Sequence, residues 1–280
     1  MSSPRLGVTG STGAVGGLVA RELAALAIPQ RLVVRDPSRA PQLPGAEVVA
    51  ATYGDGAAMR AALDGVDVLL LVSASESADR MAEHRSAVEA AADAGVGHVV
   101  YTSFLGAAAD CTFTLGRDHW ATEGLVRDAG LAHTFLRDSL YLDFLPLMAG
   151  EDGVIRGPAG DGRLGAVARE DVARVALAAL LDPQAHRGAT YGLTGPESLS
   201  FGEIAATITE VTGRDITFQD ETVEEAYASR ASYGAPPWQL DAWVSTYTAV
   251  RAGELDVVTD DVERVTGRRP VSLRELLSRS

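Results

Sequence analysis

Short, almost unbroken apolar runs alternate with longer segments of helical composition through the first half of the chain. Residues 5–9, 31–35, 47–50, 66–72, 99–102 and 134–137 are apolar stretches bounded by Gly, Pro, Asp or Ser. Their length and flanks predict strands. Val68-Leu69-Leu70-Leu71-Val72 contains no polar position, the pattern of a parallel strand covered on both faces. Residues 14–26, 59–63, 78–94 and 119–128 read as helices. In the first of these Val15, Leu18, Val19, Leu23 and Leu26 share one face, with Arg21 opposite. Strands alternating with helices predict βαβ units and a doubly wound parallel sheet.

Beyond Leu140 the alternation loosens. Residues 150–165 are rich in Gly and Pro, with a short strand expected at 154–156. A helix is expected at 170–181, a strand at 190–193 and a helix at 201–212. Ser200 precedes that last helix and Glu203 follows three positions later, the spacing of a capping box. Residues 222–280 read as mainly helical, broken at Gly234-Ala235-Pro236-Pro237 and at Gly267-Arg268-Arg269-Pro270.

The joint between the first strand and the first helix reads Gly7-Val8-Thr9-Gly10-Ser11-Thr12-Gly13-Ala14-Val15-Gly16. Glycines at 10, 13 and 16 permit a tight turn, approach of the backbone to a pyrophosphate, and close packing of helix on strand. The helix N-terminus adds free N–H groups and partial positive charge. Glycine-rich turns are common, but the strand before this one and the helix after it fit a dinucleotide-binding turn. The expected fold is therefore α/β. A Rossmann-type doubly wound sheet occupies residues 1–139, and a smaller, mostly helical substrate-binding lobe occupies 140–280. Segments of the second part are free to return to the first sheet. Ligands of open parallel sheets sit beyond the carboxyl ends of the strands, which puts the acceptor between the two parts.

At 280 residues, with 46% apolar and 22% charged positions, the chain has the composition of an ordinary globular protein with a sizeable core. Its net charge of −14 argues against nucleic acid as a partner. No apolar run approaches the roughly 18 residues of a membrane span, and the first strand starts too early to leave room for a signal peptide. A cytoplasmic location is expected. The single cysteine, Cys111, excludes an internal disulfide and a cysteine-rich metal site. All 24 basic residues are arginine. Without lysine there is no Schiff-base chemistry and no Tyr-x-x-x-Lys catalytic pair.

The second strand ends in Val33-Val34-Arg35, 19 positions after Gly16, where a carboxylate would mark preference for NAD. A guanidinium instead matches a 2′-phosphate in charge and in donor geometry, and stacks on an adenine. Asp36 can be read as that carboxylate one place late, but Asp36-Pro37-Ser38 also has the form of a turn. NADPH is expected over NADH.

These stretches resemble the NmrA-like atypical short-chain dehydrogenases across nearly the whole chain, and within them the branch that reduces quinones and triphenylmethane dyes. Thr9-Gly10-Ser11-Thr12-Gly13-Ala14-Val15-Gly16 is similar to the family's Thr-Gly-Ala-Thr-Gly-x-x-Gly loop. Support comes from Val34-Arg35-Asp36-Pro37, Tyr101-Thr102-Ser103-Phe104, His119-Trp120-Ala121-Thr122-Glu123 and residues 134–141. Further support comes from Thr259-Asp260-Asp261 and Thr266-Gly267-Arg268. The resemblance implies NADPH at the loop, with Thr9, Gly10, Thr12, Gly13, Ala14 and Val15 around the pyrophosphate and Arg35 on the 2′-phosphate. It also implies Ser73 and Ala74 beneath the nicotinamide ribose, and Ser103 and Phe104 beside the nicotinamide. His119 stands where many relatives carry lysine. Two departures follow. Ala51-Thr52-Tyr53 replaces Gly-Asp-Tyr, and Arg137-Asp138 replaces Arg-Asn, which puts a charge in place of an amide.

Hydride transfer needs proximity, orientation and a dry site more than a nucleophile. Quinones and cationic dyes take hydride without a strong general acid, so the missing lysine weakens alcohol and ketone substrates more than it weakens these. His119 is a candidate for proton donation or, with greater weight, for a ribose hydrogen bond; it reads equally as a partly exposed histidine in the first turn of a helix. Tyr141 is a candidate lining of the acceptor pocket, and a tyrosine there is as often a packing residue. His98 and His133 read as structural, and His84 as lying on a helix surface. No metal-ligand, hydrolase or phosphoryl-transfer motif occurs. The expected activity is NADPH-dependent reduction of a flat conjugated small-molecule acceptor by a monomer or homodimer. The alternatives are a dinucleotide-binding redox sensor without turnover, and a tailoring reductase or isomerase of secondary metabolism.

Overall fold

The computed structural model describes residues 5–279. The first half runs β1 (Leu6–Thr9), α1 (Ala14–Ala25), β2 (Gln30–Val34), β3 (Ala46–Ala50), α2 (Gly56–Ala62), β4 (Val68–Leu71), α3 (Arg80–Asp93), β5 (His98–Phe104), α4 (Thr114–Asp128) and β6 (Ala132–Asp138). It continues with β7 (Val154–Gly157), β8 (Arg163–Leu164), α5 (Arg169–Leu181), β9 (Thr190–Leu193), β10 (Leu199–Ser200), α6 (Phe201–Thr212) and β11 (Thr217–Asp220). Four helices close the chain: α7 (Val223–Arg230), α8 (Pro237–Arg251), α9 (Asp261–Thr266) and α10 (Leu273–Leu277).

Seven strands form one sheet in the order β3-β2-β1-β4-β5-β6-β9. β1 pairs in parallel with both β2 and β4, so that Val8 lies between Leu32 and Leu70. β2 with β3, and β4 with β5, are parallel as well. The strand order reverses between β1 and β4, which makes their carboxyl ends the switch point of a doubly wound sheet. Every residue of β4 and β5 is buried, as the unbroken apolar run requires. β9, from the second half of the chain, completes the sheet beside β6.

The chain divides into two compact units. The first comprises residues 5–103, 118–137 and 172–191, and holds a core of Met59, Leu63, Leu69, Leu71, Val99, Tyr101 and Phe135 among others. The second comprises 104–117, 138–171 and 192–279, and packs Leu145, Ile155, Phe201, Ile204, Ile208, Val250 and Leu273. In the second unit β7 pairs in parallel with β11, and β8 antiparallel with β10. Ser200 and Glu203 form the expected reciprocal capping box on α6.

Three elements differ from expectation. Leu26 is 52% exposed rather than on the buried face of α1, because the helix ends at Ala25 and Ala27 turns the chain with φ of +56°. α4 starts at Thr114 and not near His119; Gly116, a poor helix former, disguises its first turn. β11 has one apolar residue in four, so its strand conformation comes from its pairing with β7 rather than from its own pattern.

Glycine is required where α1 meets β1. A Cβ on Gly16 would stand 2.5 Å from the Gly10 carbonyl oxygen and 2.6 Å from that of Thr9. Gly124, inside α4, has nothing within 4 Å of its Cβ position. Gly16→Ala is expected to lose about 1–3 kcal/mol of stability by overpacking, whereas Gly124→Ala gains about 0.5–1 kcal/mol from helix propensity. Urea unfolding of both variants checks the opposite signs.

Candidate functional site

The loop after β1 presents backbone. Gly10 has φ of +65°, and a Cβ there would lie 2.9 Å from Val72. The Gly13 N–H closes the turn on the Gly10 carbonyl at 2.9 Å. Gly13 caps α1 without a side-chain bond, and the first turn carries no acid. Thr12, Gly13 and Ala14 are exposed, and the buried Ser11 hydroxyl has no hydrogen-bond partner among the described residues. Bare N–H groups, a positive helix end and an unsatisfied hydroxyl suit a phosphate group. Thr9 and Val15, both expected at the pyrophosphate, turn their side chains inward, which leaves only their main chain available to it.

Thr9 has another task. Its hydroxyl donates to the Leu70 carbonyl at 3.0 Å and accepts the Val72 N–H at 2.9 Å. The Tyr53 phenol lies 2.5 Å from that hydroxyl and 2.6 Å from the Val72 carbonyl. The ends of β1 and β4 are thereby tied at the switch point, and Tyr53 is retained although the acid before it is replaced. At the end of β2, Arg35 is exposed and has no ion-pair partner among the described residues. The Asp36 carboxylate is occupied: it accepts the Ser38 N–H at 2.9 Å and the Ser38 hydroxyl at 2.7 Å. Those bonds hold its pKa below the usual carboxylate value. Asp36 belongs to the turn.

Ser73 and Ala74 follow β4, and both of their N–H groups and the Ala74 carbonyl are engaged. The Ser73 N–H donates to Thr102 Oγ1 at 2.8 Å, and the Ala74 N–H to His84 Nε2 at 2.9 Å. A main-chain N–H can only donate, so the His84 proton sits on Nδ1, which reaches Thr122 Oγ1 at 2.7 Å. His84 is thus fully buried and neutral rather than on a helix surface. Burial first, and the Arg80 charge second, bring its pKa down to about 3. Arg80, only 4% exposed, donates to the Ala74 carbonyl (3.1 Å), the Asp118 carboxylate (2.9 Å) and His119 Nε2 (3.0 Å).

That last contact decides the state of His119. A guanidinium has no acceptor, so Nε2 must accept and the ring proton sits on Nδ1, 3.0 Å from the Tyr101 phenol. Burial and then Arg80 press the His119 pKa well below 6.5. Its side chain lies in the second turn of α4 and is 7% exposed. It is neither the partly exposed first-turn histidine of the bland expectation nor an imidazolium with a proton to give at neutral pH. The Ser103 hydroxyl donates to Glu123 at 2.7 Å; Arg137 grips the same buried carboxylate with two bonds of 2.8 Å and Arg127 adds one of 3.1 Å. His98 is buried on Thr134 at 2.9 Å, a structural histidine as expected.

In the second unit, Phe104 packs in the core with its ring 4.7 Å from that of Phe113. Tyr141 donates to Asp138 Oδ2 at 2.9 Å, and the Arg169 guanidinium lies over its ring at 5.0 Å. Asp138 is 2% exposed, and burial lifts its pKa well above the carboxylate range, opposed only by the Tyr141 bond. Burial therefore disfavours the charge expected at Asp138 and favours its protonated form.

The sequence profile of the NmrA-like family matches residues 2–237. The chain belongs to the NmrA-like family. This NmrA-like protein superposes with a TM-score of 0.88 on an NADPH-dependent quinone oxidoreductase of Escherichia coli complexed with NADPH, at 32% identity over 98% of this chain and 99% of that one. It is similar to a Citrobacter triphenylmethane reductase complexed with NADP(H), at 30% identity and a TM-score of 0.86 over 98% and 99% of the two chains. A (4-alkanoyl-5-oxo-2,5-dihydrofuran-3-yl)methyl phosphate reductase of Streptomyces griseus is 36% identical over 268 residues, 93% of this chain and 92% of its own.

In the first unit of this NmrA-like protein, the glycine turn, residues 72–74, Ser103 and His119 are linked through Thr9, Thr102 and Arg80. Sequence reading missed Arg80, the buried role of His84, and Glu123. The signal was present: Arg80, His84, Ala87 and Ala91 recur at helical spacing on the buried stripe of α3, so two polar residues stood on an apolar face. Among the described residues no His, Cys, Asp or Glu cluster could hold a metal, and no helix is long and apolar enough to cross a membrane.

The neutral His84 carries a pH dependence. Unfolded, it titrates near 6.5; folded, at about 3. The unfolded chain therefore binds the additional proton between those values. The His84 contribution to stability is complete above pH 6.5 and is lost as pH falls toward 3. Urea midpoints measured through that window are expected to fall with acid, and to fall less steeply in His84→Gln, whose amide offers both an acceptor and a donor.

Proposed function

We propose that this NmrA-like protein is an NADPH-dependent oxidoreductase that reduces quinone-like and other flat conjugated acceptors. The observation that carries the cofactor choice is the pair at the end of β2: Arg35 is exposed without an ion-pair partner among the described residues, while the neighbouring Asp36 carboxylate is consumed by Ser38. A guanidinium available at that place suits a 2′-phosphate, and a carboxylate already bonded to its own turn does not compete for a ribose hydroxyl. The bare backbone of residues 10–14 and the unpartnered Ser11 hydroxyl fit a pyrophosphate. Bound there, NADPH supplies the hydride.

The chain's own residues hold and orient. Gly10, Thr12 and Ala14 offer N–H groups to the phosphates, Gly13, whose own N–H closes the turn, leaves room for their approach, and Arg35 closes on the 2′-phosphate. Ser73 and Ala74, fixed by Thr102, His84 and Arg80, form a rigid floor beneath the nicotinamide ribose, and Ser103 borders it. His119, buried and neutral, serves better as a hydrogen-bonding prop than as an acid. The relatives named for quinone, triphenylmethane-dye and dihydrofuranone reduction support an acceptor that is planar and conjugated.

Loss of NADPH absorbance on mixing with menadione or malachite green tests the activity. Turnover with either is expected, and tight NADPH binding without oxidation by any quinone or dye would refute it. Arg35→Ala is expected to raise the KM for NADPH about tenfold, the worth of one charge-assisted bond pair, and to leave the KM for NADH nearly unchanged. Equal effects on both would overturn the 2′-phosphate role.

A further inference from the structure

We propose that Asp138 and Tyr141 form a proton-supplying pair, in which Asp138 delivers a proton to an acceptor oxygen and Tyr141 holds the carboxyl group in position. The inference rests on the reading of the protein as a reductase of conjugated acceptors. Asp138 is the last residue of β6, at the carboxyl end of the sheet, where ligands of such folds bind. Its carbonyl accepts the Leu105 N–H at 2.9 Å, which anchors its main chain to the residue that follows β5. Its side chain is buried, and the two carboxyl oxygens are not equivalent. Oδ2 accepts from the Tyr141 phenol at 2.9 Å, whereas Oδ1 has no hydrogen-bond partner among the described residues.

A buried polar atom without a partner costs about 1–3 kcal/mol and is uncommon in folded proteins. A functional group waiting for a ligand is one reason such an atom is retained. Burial also favours the acid form, and the hydrogen that this form carries on Oδ1 has no acceptor among the described residues. The groups near the pair reinforce this. Tyr141 places a neutral O–H on Oδ2. Arg169 sits over the phenol ring, 5.0 Å away, and not on the carboxyl. Asp143 is spent on the Arg169 N–H at 2.9 Å. Among the described residues no cation is bonded to Asp138 to draw off its proton.

The chemistry needs one proton after the hydride. A quinone that takes up hydride is reduced by two electrons and becomes a hydroquinone monoanion, while the reduced nicotinamide is oxidised. The Asp138 O–H bond then breaks and a new O–H bond forms on the anionic oxygen of the product. The electron pair stays on the Asp138 carboxylate, which Tyr141 steadies by its hydrogen bond until water restores the proton. A cationic triphenylmethane dye differs. Hydride addition at its central carbon gives a neutral molecule directly, and no proton is required.

That difference separates proton supply from a packing role. Asp138→Asn keeps shape and a donor but has no acidic proton to release. The ratio of menadione to malachite green turnover is expected to fall about tenfold or more in Asp138→Asn, in line with general acid catalysis. Infrared difference spectra of the cofactor-free protein at neutral pH are expected to show a protonated-carboxyl carbonyl band that Asp138→Asn removes. Tyr141→Phe, which deletes only the hydrogen bond on Oδ2, should retain that band at a shifted frequency. Equal losses with quinone and dye, an unchanged ratio, or absence of the band would each overturn the proposal and leave the reductase reading standing. A wild-type protein that reduces neither acceptor would instead remove the reductase reading, and the proton-supply role falls with it.

Discussion

The backbone of residues 9–16 folds back on itself and against β4 so closely that side chains are excluded. Gly16 rests on the carbonyls of Thr9 and Gly10, and Gly10 on Val72. Everything assigned to the dinucleotide side descends from that contact. It aims the start of α1 at the switch point, leaves residues 12–14 exposed, and brings the carboxyl ends of β1 and β4 within reach of a single hydroxyl. Thr9 and Tyr53 then lock the junction. The glycines supply the closeness, and the threonine and tyrosine supply the rigidity.

Around this junction the polar groups of the first unit are mostly consumed by one another. Arg80 bonds the loop after β4 to α4, His84 fixes the same loop from α3, and Glu123 gathers Ser103, Arg127 and Arg137. Burying charges in this way gains little net stability, because desolvation offsets the attraction. What it gains is geometry: each bond removes a way for residues 73, 74, 103 and 119 to shift. Arginine suits the purpose, since a forked guanidinium reaches three partners at once and does not lose its proton when buried.

The strands of the sheet, the glycine turn, the Asp36 turn and the α6 capping box were legible because each is written in local pattern: apolar runs, small residues, a Ser and a Glu three apart. The turn at Asp36 shows how far local reading reaches, for it separated two cofactor readings from the residue Asp-Pro-Ser alone. What local pattern could not carry was burial of polar side chains. His84 looked like a surface residue and His119 like a ribose contact or a partly exposed histidine, because a polar residue on an apolar helical stripe does not name the partner that buries it. Asp138 looked like a charge for the same reason. Its ionisation depends on the absence of a cation, and that is known only once its neighbours are in place. β11 and the early start of α4 were hidden for a different cause: each depends on a partner strand or a tolerated glycine and not on its own periodicity.

β9 has a consequence for how the chain can be divided. It comes from residues 190–193, more than 50 positions after the end of β6, and yet it forms the outer strand beside β6. A polypeptide ending near residue 139 would contain the whole glycine turn and still lack the border of its sheet. β6, with Phe135 and Leu136 at its centre, would then be an unpaired edge open to pairing with other chains. The first unit is therefore not a detachable N-terminal half. It is threaded through the rest of the protein, and changes that reshape the second unit must leave the path back to β9 intact.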